Sequence, residues 1–303
     1  MPAKKEVIIY IHGITPAPDP KLHKEDFNSF ENLLCKALEA KGKNYPAQRV
    51  DIEWGFDLPS ITTKDKYLAR IERQLYQQVD EIADKHWDFT LNPTRFIYNV
   101  IRKNFLLGFS DMFYYVSEDG KEQIRQNVLN TLLDNLPVLK SDEVYYFTIV
   151  SHSAGTVIMH DILFILFGGK SKSFLTSQSE IDKLEMLQGF ALNDQVFIKC
   201  FVTLGSPITP MIVRSGKLMD KMINNEKIPI DNMGIKKGPD GEYSKWLNFW
   251  DKDDVMSYPI KFLYDDPDNL VEDHYVDISD SFPDVHSAYW SSKKIAEIVA
   301  EKY

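Results

Sequence analysis

Ser151-His152-Ser153-Ala154-Gly155 lies between a run of β-branched and aromatic residues, Tyr145 to Val150, and an apolar stretch that opens at Thr156. The first run has the character of a parallel strand covered on both faces. The second continues through Val157, Ile158, Ile162, Leu163, Ile165 and Leu166 as a helix and stops at Gly168-Gly169. A strand that passes straight into a helix leaves its central residue, here Ser153, on a sharp and strained turn. Small residues two before and two after it are then required, and the pentapeptide is one substitution from G-x-S-x-G. A serine in that place also meets the free amides and the dipole of a helix N-terminus, which favour a developing negative charge. Nucleophilic attack on an electrophilic carbon is the chemistry this suits. The plain structural alternative is a hydroxyl that caps the helix.

A serine hydroxyl is a poor nucleophile until a base takes its proton, and the base must be oriented by a third group. Downstream of Ser153 stand His160, His274 and His286. His160 is inside the helix that follows the serine and cannot easily turn back to it. His274 is in the middle of a strand pattern, at an alternating position that faces solvent. His286 falls on the loop after the last strand, where access to Ser153 is expected. For the acid, Asp251, Asp253 and Asp254 directly follow the strand Trp246 to Trp250. Three carboxylates so close cannot all be buried and ionised without raising one another's pKa, so one is expected to point inward. Spacing does not choose among them.

Acyl chemistry also needs main-chain donors for the tetrahedral oxygen, each worth about 3 kcal/mol of barrier. Ala154, the residue after the nucleophile, is one source. The turn His12-Gly13-Ile14, where the strand Val7 to Ile11 runs into a Pro-rich loop, is the expected source of the other, from the amide of Ile14. His12 is read as bracing that loop through a hydrogen bond.

Around these residues strand and helix patterns alternate. Phe27, Phe30, Leu34, Ala37 and Leu38 recur at helical spacing; Val50, Ile52 and Trp54 alternate as in a half-buried edge strand. Ile124, Val128, Leu132 and Leu133 mark the helix leading to the Ser153 strand, and further strands follow at 197–204, 246–250 and 270–278 before a final helix from about Ala288. Alternation of this kind predicts an α/β fold with a mostly parallel central sheet flanked by helices. From 59 to 119 the strand signals stop, and two amphipathic helices, around 68–82 and 93–107, predict a helical insertion in a single domain spanning 1–303. Residues 170–195 read as irregular with a short helical piece.

The net charge of −10 argues against nucleic acid or an anionic membrane as a partner. Two cysteines, Cys35 and Cys200, are too few for a disulfide framework and lack metal-ligand spacing. No stretch has the length of a transmembrane helix, and the N-terminus lacks the apolar core of a signal peptide. The expectation is a soluble, cytoplasmic protein that needs neither cofactor nor metal.

Taken together, His12-Gly13, Ser151-His-Ser-Ala-Gly155, Leu204-Gly-Ser-Pro207, the Asp cluster and His286-Ser-Ala-Tyr-Trp290 resemble the α/β-hydrolase superfamily, and within it the lipase-like serine esterases, poorly characterised bacterial ones included. The likeness covers about two thirds of the chain and omits 59–119 and 170–195. It implies an α/β-hydrolase fold and a Ser153–His286–Asp triad that cleaves carboxylic esters through an acyl-enzyme. Filamentous-fungal-type lipases carry their acid in Asp-x-Val with a Pro six residues after the Asp. Asp253, Val255 and Pro259 match that pattern, so the resemblance implies Asp253 as the acid. It implies a small-molecule ester, acyl or lipid in character, as substrate. The aromatics of 59–119 would serve as a lid or acyl-binding wall, or simply pack the inserted helices. An acyltransferase or thioesterase would use the same residues, whereas a non-catalytic interaction module would not need them all.

Overall fold

The computed structural model describes residues 3–13, 20–54, 118–168, 175, 177–213, 223–224, 226–238, 240–279 and 284–303. The chain divides into two units, one of Met1–Gly13, Pro20–Glu53 and Arg125–Tyr303, the other of Ile14–Asp19 and Trp54–Ile124. The helices expected around 68–82 and 93–107 lie outside the described residues. So does the rest of the stretch 59–119, apart from the start of the helix that begins at Glu118.

In the first unit the strands are β1 (Ala3–Ile11), β2 (Gln48–Ile52), β3 (Glu143–His152), β4 (Val196–Leu204), β5 (Ile228–Pro229), β6 (Lys245–Trp250), β7 (Tyr264–Asp265) and β8 (Val271–Tyr275). Six of them form the central sheet in the order β2-β1-β3-β4-β6-β8, and β5 pairs with β7 apart from it. Every neighbouring pair in the central sheet is parallel. The helices are α1 (Pro20–Ala40), α2 (Glu118–Asn135), α3 (Ala154–Gly168), α4 (Gln178–Leu192), α5 (Ile208–Val213), α6 (Asp284–Ala288) and α7 (Lys293–Lys302).

Burial follows the residue patterns. β3, in the middle of the sheet, is buried from Val144 to His152, while edge strand β2 buries Val50 and Ile52 and leaves Gln48, Arg49 and Asp51 half-exposed. On one face, Ile8, Tyr10, Val150, Val202, Leu247 and Phe249 meet Phe27, Phe30, Leu34 and Leu38 of α1 and Ile295 and Val299 of α7. On the other lies α3, buried on nearly all sides, as its apolar run requires. Among the described residues no helix is long and apolar enough to cross a membrane.

Three elements differ from the expectation. Residues 178–192 form a full helix, α4, where irregular chain with only a short helical piece was expected. Its start is a capping box: the Glu180 amide donates to Ser177 Oγ, and the Ser177 amide donates to the Glu180 carboxylate. Leu184, Leu187 and Ala191 form its narrow buried stripe, and Gln188 Nε2 donates to the Ile165 carbonyl of α3 at 2.7 Å. The last strand ends at Tyr275 instead of Ile278, and His286 belongs to the short helix α6 instead of a loop.

From β1 the chain steps to β2 on one side, and then returns across β1 to β3 and onward in the other direction. The order of strands therefore reverses between β1 and β3. Beyond the carboxyl ends of two such strands the crossovers diverge and leave a crevice, which is where open α/β sheets bind ligands. β1 leads into His12 and Gly13 at that end of the sheet, and β3 into His152 and Ser153.

Candidate active site

β3 ends at His152 and α3 begins at Ala154, so Ser153 alone makes the turn, with φ of 51°. A left-handed backbone costs a residue with a Cβ about 1–2 kcal/mol, and it persists only where neighbours over-determine it. Here the Ser153 amide donates to the Leu204 carbonyl at 2.9 Å, while the Thr156 amide and hydroxyl both donate to the Ser153 carbonyl, at 3.0 and 2.6 Å. Ser151, in the place where glycine is usual, is fully buried and its hydroxyl donates to the Val202 carbonyl at 2.9 Å.

Two glycines let the turn after β1 approach this corner. A Cβ on Gly155 would lie 2.3 Å from the His12 carbonyl oxygen, and one on Gly13 would lie 2.5 Å from the Cβ of Ser153. Neither obstacle can swing aside, because both belong to the backbone or its first side-chain atom. The small residues needed around Ser153 thus serve contact between strands as much as the turn itself.

His286 Nε2 is 2.8 Å from Ser153 Oγ, and its Nδ1 is 3.0 and 2.9 Å from the two carboxylate oxygens of Asp254. An ionised carboxylate only accepts, so Nδ1 carries the proton and Nε2 is left to accept from the serine hydroxyl. The Asp254 side chain is fully shielded from solvent, and that of His286 is 21% exposed. Burial pushes the Asp254 carboxyl up, but His286, the Met256 amide and the Tyr289 hydroxyl outweigh it and hold the group below its ordinary value. The Asp254 carboxylate therefore stays ionised beside the imidazole.

This corrects the assignment of Asp253 that the resemblance implied. Asp253 is half-buried, and its carboxylate pairs with Lys252 at 2.6 Å. Nor does one carboxylate of the cluster alone turn inward: Asp251 is buried as well. Its two oxygens accept from the amides of Asp253 (3.0 Å) and Ile278 (2.8 Å), which ties the loop after β6 to the segment after β8. Asp251 and Asp254 each have their own donors, and this removes the conflict expected from crowding. Asp251, Asp253 and Asp277 also have oxygens close enough to share a cation. The ammonium of Lys252 already lies 2.6 Å from Asp253 and 3.7 Å from Asp277.

The remaining histidines have other partners. His160 Nε2 is 2.7 Å from the Tyr264 hydroxyl inside the core. His274 stacks on Phe249 and is half-buried, not solvent-facing as expected. His12 braces its turn, Nδ1 lying 2.5 Å from the Gly13 carbonyl oxygen, and its ring stacks on His23. Burial, helped by neighbouring His23, lowers the His12 pKa to about 3.

His152, the middle residue between the two serines, received no role from the sequence. It is buried, and its Nε2–H donates to the main-chain carbonyl of His286 at 2.6 Å. Burial and the adjacent His286 lower its pKa to about 3, so it remains neutral. Tyr289 was equally without a role, although its hydroxyl lies 3.0 Å from Asp254. A buried polar side chain beside a suspected nucleophile is the signal that would have drawn attention to His152.

Ala154 opens α3, where the first amides of a helix have no intrahelical acceptor, so its N–H is placed beside Ser153 as a donor. Ile14, the expected second donor, lies outside the described residues. Ser153, His286 and Asp254 thus form a continuous hydrogen-bonded chain beside a helix N-terminus, an arrangement able to raise the nucleophilicity of an alcohol and to receive negative charge on an acyl oxygen. Comparison of the chain with protein-family models, curated proteins and solved structures gives no match.

Proposed function

We propose that this protein is a serine hydrolase that cleaves carboxylic esters through an acyl-enzyme, on a sheet of α/β-hydrolase type. The observation that carries the reading is the unbroken path Ser153 Oγ–His286 Nε2 and His286 Nδ1–Asp254, at 2.8 and 2.9 Å, at the point where strand order reverses. The order of roles along the chain, nucleophile then acid then base, and their placement after β3, β6 and β8 also support it.

In the first half-reaction Ser153 Oγ bonds to the ester carbonyl carbon while its proton passes to His286 Nε2. The carbonyl oxygen becomes an oxyanion that accepts from the Ala154 amide. The imidazolium forms against the Asp254 carboxylate, which stabilises it without taking the proton. As the tetrahedral centre collapses, the bond to the alkoxy oxygen breaks and His286 gives its proton to the leaving alcohol. A water then enters, loses a proton to His286 and attacks the acyl carbon, which returns the serine hydroxyl and releases the acid.

The test is hydrolysis of p-nitrophenyl esters by wild type and Ser153→Ala, together with labelling by a fluorophosphonate. Wild-type turnover with a label on Ser153, both absent in Ser153→Ala, is expected. Folded wild type that neither hydrolyses any ester of an acetyl-to-dodecanoyl series nor takes the label would overturn the reading.

A further inference from the structure

Tyr289 is fully buried on the turn Tyr289–Ser291 that follows α6, three residues beyond His286. Its hydroxyl oxygen lies 3.0 Å from Asp254 Oδ2 and 3.1 Å from Ser257 Oγ. A phenol has one proton, and an ionised carboxylate can only accept. That proton is therefore given to Asp254. One short segment thus delivers both the imidazole and a second donor to the same carboxylate.

The donors divide the carboxylate between them. Oδ1 accepts from the Met256 amide at 3.0 Å and Oδ2 from Tyr289, while His286 Nδ1 spans both oxygens. The amide and the phenol hold opposite ends of the group, so it cannot rotate about its Cβ–Cγ bond without breaking one of them. A core tyrosine needing only volume would not have to direct its hydroxyl at a fully shielded carboxylate.

We propose that Tyr289 is a positioning residue that sets the orientation and basicity of Asp254, and through it the proton affinity of His286; this rests on the triad reading above. Charge donated by the phenol competes with charge donated to Nδ1–H. With the phenol removed, the carboxylate becomes the stronger base, stabilises the imidazolium more, and raises the pH at which His286 titrates. The titratable groups facing this pair are His152 against the His286 ring, Asp251 near Tyr289, and Ser153 at Nε2. None of them is altered by the substitution.

The experiment is NMR titration of the His286 imidazole in folded wild type and Tyr289→Phe, which keeps the ring and removes the hydroxyl. The His286 pKa is expected to rise by about half a unit or more, since a hydrogen bond to a charged group is stronger than one between neutral groups and part of its effect is passed on. The acidic limb of kcat/KM should move up by the same amount, with kcat about tenfold lower and KM little changed. Incorporation of 3-fluorotyrosine at position 289, a more acidic phenol and stronger donor, should shift the titration the opposite way, and this arm stands if Tyr289→Phe does not fold. A titration unmoved in the folded variants, with thermal stability alone changed, overturns the proposal and leaves Tyr289 as packing. The titration needs no turnover, so it decides the role of Tyr289 even where the ester-hydrolase reading fails on the absence of Ser153 labelling.

Discussion

Gly13 faces Ser153 so closely that a Cβ on the glycine would lie 2.5 Å from the Cβ of the serine. The reverse approach is as tight, Gly155 lying against the carbonyl of His12. The turns after β1 and β3 are thereby interlocked, each requiring a missing side chain in the other. This contact, more than the turn alone, explains why glycine stands at both positions.

Gly13→Ala should therefore displace the turn against Ser153. A shift of about 1 Å in such a site costs about 100-fold in rate. Gly155→Ala should lose about 1–3 kcal/mol of stability, the usual range for overpacking against atoms that cannot move. Ester turnover and urea unfolding midpoints check the pair; Gly13→Ala with wild-type kcat would contradict the interlock.

The consecutive carboxylates Asp253 and Asp254 should separate cleanly. Asp254→Asn removes the acceptor at His286 Nδ1 and leaves the imidazole in the wrong tautomer, which lowers kcat about 10⁴-fold. Asp253→Asn removes one exposed pairing with Lys252, and should change kcat by no more than about twofold. The opposite ranking in steady-state kinetics would return the role to Asp253.

Acid should destabilise the fold from just below neutral pH, because two buried histidines resist protonation. His12 and His152 titrate near 3 in the folded chain, below the ordinary 6.5, because burial disfavours their charged forms. Between those values the unfolded chain binds protons that the folded chain refuses, so stability is fully present above 6.5 and lost as pH falls toward 3. Asp254, held below its ordinary value, adds to the loss at the bottom of this window. Urea midpoints measured at intervals from pH 7 downward should fall throughout, and less steeply in His152→Gln. A flat profile to pH 4 would show that these histidines are not shielded.

Ser177→Ala offers a check away from the site. It removes one half of the capping box of α4 and should cost about 1 kcal/mol. For a chain of this size that corresponds to about 2–4 °C in Tm. Ester turnover should be untouched, and a loss of activity without a change in Tm would show that α4 has a part in the site.

What the residues alone determined was the strand-turn-helix around Ser153, the small neighbours it needs, and a histidine, His286, on a segment after the last strand. These follow from local rules: hydrophobic runs, a sharp turn that tolerates few side chains, and a chain order of roles. The same rules reached the parallel sheet, because strands kept alternating with helices. They gave only a short helical piece where α4 stands, because its buried stripe is narrow and its start lies in polar chain, although Ser177 and Glu180 had the spacing of a capping box.

Tertiary structure alone decided which aspartate meets His286. Asp251, Asp253 and Asp254 share a composition and a loop, and in irregular chain successive side chains have no fixed period to say which turns inward. The choice was made by donors from elsewhere, the Ile278 amide for Asp251 and His286 with Tyr289 for Asp254. A buried carboxylate goes where hydrogen-bond donors offset its desolvation, and those donors stand more than twenty residues away along the chain.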